Sequence, residues 1–214
     1  MKTIRVAIAD DHALTRKGIV GLLSEHKEFE VVAEHDSVKS MMQDFYPEQC
    51  DVLVLDVHFG DGSGIEVLQH LKLQKKNVPV LVFSYHSETQ LALRALKAGA
   101  NGFLSKTAPT DEILQAILKL AAGGTYLSPS IAADVALQAL QQEDHITPHN
   151  ALSNREFQVL CLIGAGHTHK EIATKLSINV KTVSTFKARV LEKMGLKTTA
   201  ELISYVIDHR LAFR

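Results

Sequence analysis

The chain has 214 residues, of which 46% are hydrophobic and 22% charged, an ordinary balance for a soluble protein with one or two cores. No apolar run approaches the roughly 18 residues that a membrane span needs, and the first residues lack the apolar segment of a secretory signal; a cytoplasmic protein with no membrane partner is expected. The net charge of −1 hides a division, since residues 149–214 hold ten Lys and Arg against five acids, and residues 1–148 hold thirteen against nineteen. A basic C-terminal part points to nucleic acid. Cys50 and Cys161 are too few and too far apart for a disulfide framework, and read as buried thiols in a reducing compartment.

The first strand is the run Ile4-Arg5-Val6-Ala7-Ile8-Ala9, which ends in the acidic pair Asp10-Asp11. A helix over 14–26 carries Leu14, Ile19, Val20, Leu22 and Leu23. Residues 30–33 form a short strand, and 37–45 a weak helix cut off by Pro47. Val52-Leu53-Val54-Leu55 is a strand ending in Asp56. The loop beyond it holds Gly60, Gly62 and Gly64, and 65–73 takes helical spacing through Ile65, Leu68 and Leu71. Val80-Leu81-Val82-Phe83 ends in Ser84, and the helix over 87–98 stops at Gly99. Gly102-Phe103-Leu104-Ser105 ends in Lys106, and the helix over 110–122 stops at Gly123-Gly124. Strand and helix in alternation predict an α/β, doubly wound five-stranded parallel sheet, flavodoxin-like, over residues 1–122.

Residues 123–148 read as a linker with a helix over 131–142, entered through Ser128-Pro129. Residues 149–214 then hold four short helices with legible starts. Ser153 and Glu156 make a capping box, with Leu152 and Phe157 spaced as a hydrophobic staple. Thr168 with Glu171, and Thr198 with Glu201, repeat the capping pattern. Asn179 caps a helix over 180–194 that ends at Gly195, and the short turn 176–179 before it suits a helix-turn-helix. The second domain is therefore all-α.

In an open parallel sheet, ligands bind at the carboxyl ends of the strands. Asp10, Asp11, Asp56, Ser84 and Lys106 all stand there. Mg2+ takes hard oxygen donors, one or two of them carboxylates; Asp56 and Asp11 are natural ligands, with Asp10 direct or through water. Lys106 offers a compact positive charge to a phosphate oxygen, and Ser84 a neutral donor. No glycine-rich P-loop is present, so a carboxylate that itself accepts phosphate is the economical reading.

On the helix over 180–194, Val183, Phe186, Val190, Leu191 and Met194 share one face. Lys181, Thr185, Ala188 and Glu192 lie opposite, flanked by Ser184 and Arg189. Small polar residues fit a major groove, and Lys187, on the apolar side, is expected to snorkel out to a phosphate. His167 and His169 lack metal-ligand spacing and read as loop residues.

In order and spacing, Asp10-Asp11, Asp56, Ser84 and Lys106 resemble the receiver domains of bacterial two-component response regulators, with Phe103 at their aromatic switch position. The segments Leu152-Ser153-Asn154-Arg155-Glu156, Lys170-Glu171-Ile172-Ala173 and Val180-Lys181-Thr182-Val183-Ser184 resemble a LuxR-type helix-turn-helix. Over nearly its whole length the chain resembles a NarL/FixJ-type response regulator. The resemblance implies a sensor histidine kinase that phosphorylates Asp56 with Mg2+ present, the ion held by Asp10, Asp11, Asp56 and the backbone carbonyl of His58. Ser84 would move toward the phosphoryl group, Phe103 would rotate inward, and the face around helices 87–98 and 110–122 would change. Lys181, Thr182, Ser184, Thr185, Lys187, Ala188 and Arg189 would meet double-stranded promoter DNA. A phosphorylated homodimer is expected, with Leu202, Ile203, Val206 and Ile207 of the helix over 200–209 as the candidate contact.

Four features depart from the family pattern. Gly60 stands where proline is common, which predicts a more mobile loop. Tyr85 after Ser84 would narrow access, and His58 and His86 flank the site at positions that influence phosphate lifetime. Thr107 follows Lys106, so no Lys-Pro bond is available. Two other readings are an aspartate-nucleophile phosphatase and a phosphorylation-independent helix-turn-helix interaction protein. Phosphatases of the haloacid dehalogenase type carry a second Asp where this chain has His58.

Overall fold

Apolar runs separated by helices leave the chain little choice but parallel strands, because each crossover returns it to the same edge. A computed structural model describes residues 3–74, 77–84, 89–141, 147–176, 178–209 and 211. Its strands are β1 (Ile4–Ala9), β2 (Phe29–His35), β3 (Val52–Leu55), β4 (His58–Phe59), β5 (Gly62–Ser63), β6 (Val80–Ser84), β7 (Gly102–Ser105) and β8 (Tyr126–Leu127). The main sheet runs β2-β1-β3-β6-β7-β8 with every pairing parallel. The five expected strands are all there, and the two-residue β8 extends the sheet at one edge. Two compact units result, Met1–Leu137 and Gln138–Arg214.

The helices of the first unit are α1 (Ala13–Ser24), α2 (Val38–Asp44), α3 (Gly64–Leu73), α4 (Thr89–Ala98), α5 (Thr110–Ala121) and α6 (Pro129–Gln141). Successive strand residues point to opposite faces, and the core divides accordingly. Ala7, Ala9, Leu53, Leu55, Val80, Val82 and Phe103 join residues of α2, α3 and α4 on one face. Val6, Ile8, Val52, Val54, Leu81, Phe83 and Leu104 join Ile19 and Leu23 of α1 and Ile113, Ala116, Ile117 and Leu120 of α5 on the other. Each buried Leu or Ile stabilises the fold by roughly 1.5–3 kcal/mol. Ile131 of α6 belongs to the first cluster, so residues beyond 122 add to this unit's core. Leu14 does not; it is 87% exposed, because α1 starts at Ala13 and turns that position away from the sheet.

The second unit holds α7 (Asn154–Gly164), α8 (His169–Lys175), α9 (Val180–Met194) and α10 (Thr199–Asp208). Both N-terminal capping boxes form, Ser153 with Glu156 and Thr168 with Glu171. At α10 only half a box forms: Thr198 Oγ1 accepts from the Glu201 amide at 3.1 Å, while the Glu201 carboxylate accepts from Lys197 rather than from Thr198. Gly195 ends α9 with φ +67°, a left-handed conformation that favours glycine. Leu152 and Phe157 are buried together with Val183, Val190, Met194, Leu202 and Val206.

Among the described residues no helix is long and apolar enough to cross a membrane. The tightest backbone approach lies at the start of α3, where a Cβ on Gly64 would overlap the Asp56 carbonyl oxygen. Backbone cannot yield there as a flexible side chain would. Gly64→Ala is therefore expected to cost about 3 kcal/mol or more of stability, read as a lower urea midpoint of the first unit; an unchanged midpoint would refute the close approach.

Candidate functional site

The ladder of the sheet sets the site. Beyond the strand ends, the Asp10 amide donates to the His35 carbonyl at 3.0 Å, Asp56 to Ala9 at 2.8 Å and Lys106 to Ser84 at 2.8 Å. The sheet reverses direction of growth between β1 and β3, the place where open α/β sheets bind ligands. Asp10, Asp56 and Ser84 are buried. The Lys106 ammonium stands 2.6 Å from Asp10 Oδ2 and 2.7 Å from Asp56 Oδ2, its side chain 1% exposed. All five residues singled out at strand ends thus meet at one edge, although Tyr85 and His86 lie outside the described residues.

Burial pushes the Asp56 carboxyl up to about 6, with Lys106 pulling it down and Asp10 adding to the rise. Burial also works against the Lys106 charge, but Asp56 and Asp10 outweigh it and hold the ammonium above its ordinary value. The site therefore carries a firmly charged lysine and a carboxylate that is easily protonated.

Asp10 Oδ2 faces the Lys106 ammonium and Asp11 Oδ1 faces the His12 ring. Asp10, Asp11, Asp56 and His12 offer four donor atoms within 4.8 Å of one another, the group of His, Cys and acidic side chains among the described residues that suits a metal ion. His12 was not among the residues singled out, although it directly follows the acidic pair. Its Nδ1 lies 2.8 Å from Asp11 Oδ1, 3.5 Å from Asp10 Oδ1 and 4.0 Å from Asp56 Oδ2. His58 lies nearby: its amide donates to Asp56 Oδ1 at 3.2 Å and its ring Nδ1 is 4.0 Å from the same atom.

The loop around Gly60 forms the hairpin β4-β5. The Gly60 amide donates to Asp11 Oδ2 at 2.8 Å. The Asp61 carboxylate accepts from the amides of Val38 and Lys39, both at 2.9 Å, and so caps α2 from outside. A side chain at Gly62 would strike Val38. Asp61 too escaped the sequence reading, since an acid in a glycine-rich loop looks like mere solvation. Phe103 is fully buried, in one cluster with Leu91, Ala92 and Ala95 of α4, whose small alanines leave room for the ring.

In the second unit, α9 buries Val183, Val190 and Met194, half-buries Phe186 and Leu191, and exposes Lys181, Ser184, Thr185, Ala188 and Arg189. Lys187 is half-buried, as a snorkelling chain would be. The hydroxyls are less free than expected. Thr182 Oγ1 donates to Asn179 Oδ1 at 2.9 Å, Ser184 Oγ to Val180 O at 3.2 Å and Thr185 Oγ1 to Lys181 O at 3.1 Å. Such back-bonding leaves a hydroxyl as an acceptor toward a ligand. His169 Nδ1 stands 3.3 Å from Ser184 Oγ, a placement that links α8 to α9. A Lys193–Glu156 ion pair at 2.7 Å ties α9 to α7.

Residues 6–118 match the response regulator receiver domain, and residues 150–206 match the bacterial regulatory proteins of the luxR family. The response regulator GacA of Pseudomonas aeruginosa is 32% identical over 206 residues, covering 96% of each chain. The transcriptional regulatory protein UhpA of Salmonella typhimurium is 37% identical over 205 residues, covering 96% of this chain and 98% of its own. In fold, the chain is similar to RcsB of Salmonella enterica serovar Typhimurium bound to promoter rprA, with a TM-score of 0.61 at 24% identity and coverage of 96% and 99%. The chain belongs to the two-component response regulators that join a receiver domain to a LuxR-type helix-turn-helix.

Proposed function

We propose that Asp56 is the phosphoacceptor of this regulator and that its acyl phosphate controls the binding of promoter DNA. The observation that carries the reading is the Lys106 ammonium between two buried carboxylates at the strand ends. Residues 1–122 act as the receiver, 123–148 as a link that includes a helix, and 149–214 as the DNA-binding domain. A sensor histidine kinase donates the phosphoryl group in the cytoplasm, and an oxygen of Asp56 attacks the phosphorus as the kinase's imidazole leaves. Asp10, Asp11, Asp56 and the backbone carbonyl of His58 would hold Mg2+; the acidic side chains whose oxygens stand within 4.8 Å of one another support that fit. Bound there, Mg2+ offsets the negative charge that carboxylates and phosphoryl oxygens bring together.

Lys106 has three N–H donors and turns one to a phosphoryl oxygen. Ser84 moves to donate to a second, and Phe103 reports the change to the face of α4 and α5. Because Phe103 is already buried, phosphorylation stabilises an arrangement that is present before it, rather than creating one. The regulator captures one phosphoryl group and is not a phosphatase that turns over phosphoesters.

On DNA, Lys187 neutralises a phosphate, whereas Lys181, Thr182, Ser184, Thr185, Ala188 and Arg189 form the face presented to the groove. With its proton given to Lys181 O, Thr185 reads a base amino group as an acceptor. One short helix discriminates few base pairs, so a phosphorylated homodimer on two half-sites follows. Leu202 and Val206 are core residues and Ile203 is partly buried against that core, which leaves Ile207, 61% exposed, as the main apolar contact between DNA-binding domains.

Acetyl phosphate with Mg2+ should label the wild-type chain once, whereas Asp56→Asn should take no label. Labelling that survives this substitution, or sustained turnover of a generic phosphoester, would overturn the assignment. On DNA, Lys187→Ala should weaken cognate and scrambled sites alike and lower the salt slope by about one unit. Thr185→Ala should instead remove roughly 1–3 kcal/mol of discrimination between them, both measured by fluorescence anisotropy titration.

The proton on Asp56 gives a third test. Its folded value near 6 lies above the ordinary 3.8, so between those values the folded chain keeps a proton that the unfolded chain has lost. The stability contributed by this group is therefore highest in acid and falls as pH rises from about 4 to about 6. In chelator, urea midpoints of wild type minus those of Asp56→Asn should decline across that window; a flat difference would refute the shift.

A further inference from the structure

The edge strand β8 pairs with the strand that holds Phe103. Its two residues, Tyr126 and Leu127, lie in register with Gly102 and Phe103 of β7. Neighbours in register on parallel strands share a face. Leu127 therefore stands beside Phe103 and packs against the same cluster as Leu91, Ala92 and Ala95 of α4. Tyr126 turns to the opposite face, where its hydroxyl donates to Glu112 Oε1 of α5 at 3.0 Å and Lys119 Nζ lies 5.7 Å from its ring centroid. Its amide donates to the Asn101 carbonyl at 3.1 Å, and a Cβ on Gly102 would come within 2.9 Å of the Tyr126 carbonyl oxygen. The first residue of β8 is thus held to α5 and β7, while the second belongs to the Phe103 side. From Leu127 a step of four residues leads to Ile131, buried in that cluster, and another to Val135, half-buried against it. Ala133, Ala136 and Leu137 are exposed. One apolar ridge therefore seats α6, the helix that carries the chain out of the first unit.

We infer that β8 and α6 are the output arm of this receiver: the ridge of Leu127, Ile131 and Val135 follows the Phe103 ring, so phosphorylation reseats α6. The inference rests on the reading of Asp56 as the phosphoacceptor that controls DNA binding, and adds the route from the sheet to the link. A close-packed core leaves no room for one ring to turn alone. On the α4 side the small alanines accommodate it as their helix shifts; across the β7–β8 ladder the neighbour is Leu127. A two-residue strand and a single ridge bury little, and elements with few buried contacts open at low free-energy cost. The arm can therefore move without unfolding the strands that hold Asp56 and Lys106. Tyr126, anchored to α5, fixes its near end, so the displacement grows along α6 toward the far end.

The test uses the full chain with Mg2+ and beryllofluoride as the phosphoryl mimic. In wild type, the mimic should change amide hydrogen exchange over the α6 residues of the first unit, 129–137. It should also raise affinity for cognate DNA by about five-fold or more. Leu127→Ala and Ile131→Ala should cut that gain to less than about two-fold, while fluorine NMR shows the mimic still bound. Leu127→Met, which keeps the volume, and Leu73→Ala, at an exposed leucine on the end of α3, should keep the full gain. A gain in Leu127→Ala equal to that of wild type, or exchange over α6 that ignores the mimic, overturns the inference and leaves the control of DNA binding standing. If Leu127→Ala and Ile131→Ala fail to fold or to bind the mimic, the milder Val135→Ala decides. With the mimic bound to that variant, a reduced gain supports the arm and an undiminished one overturns it. If wild type takes up no mimic, or takes it up without any gain on DNA, the phosphoacceptor reading fails first, and the inference with it.

Discussion

Asp10 and Asp56 are withdrawn from water at neighbouring strand ends, each 2% exposed, and a carboxylate buried alone costs several kcal/mol. The Lys106 ammonium between them makes the arrangement tolerable. It does so incompletely, because burial still raises the Asp56 carboxyl to about 6. The residual mismatch is useful. Two acids and one fixed cation leave a net demand for positive charge, and the same lysine is ready to share itself with an incoming anion. An apolar replacement of the trio would give a sturdier strand end without affinity for either a cation or a phosphoryl group.

Much of this was legible in the sequence because the sheet imposes simple rules. A buried parallel strand needs an unbroken apolar run, so the polar residue that ends each run marks the edge where chemistry gathers. Asp10, Asp56, Ser84 and Lys106 were found that way. His12 and Asp61 were not, since neither ends a run; each depends on where a loop folds back, which no periodicity encodes. Leu14 misled for a related reason: apolar residues near the start of α1 fit the helical pattern, yet one sits on the turn that faces outward. The two-residue β8 is too short to carry a pattern at all.

The helical unit was legible through its caps more than through its apolar spacing. Two reciprocal boxes, an Asn cap and a left-handed glycine fix where helices begin and end within about a turn. What the caps do not disclose is how a side chain hydrogen-bonds within its own helix. Thr182, Ser184 and Thr185 each give a proton to a neighbour in or at the start of α9, and this changes the chemistry they present without changing the face they occupy. The burial of Leu202 and Val206 is likewise a matter of how few apolar residues so small a core has to draw on.

Asp61 reaches from the hairpin behind Asp56 to the first two amides of α2. Those amides have no carbonyl of their own helix to meet, so their shelter from solvent depends on where the hairpin sits. Hydrogen exchange at Val38 and Lys39 is thus a remote gauge of the loop beside Asp56: neither residue belongs to the acidic cluster, yet a shift of the hairpin unprotects both together. An isotope readout of two backbone positions on a neighbouring helix can follow the state of the site without any label placed in it.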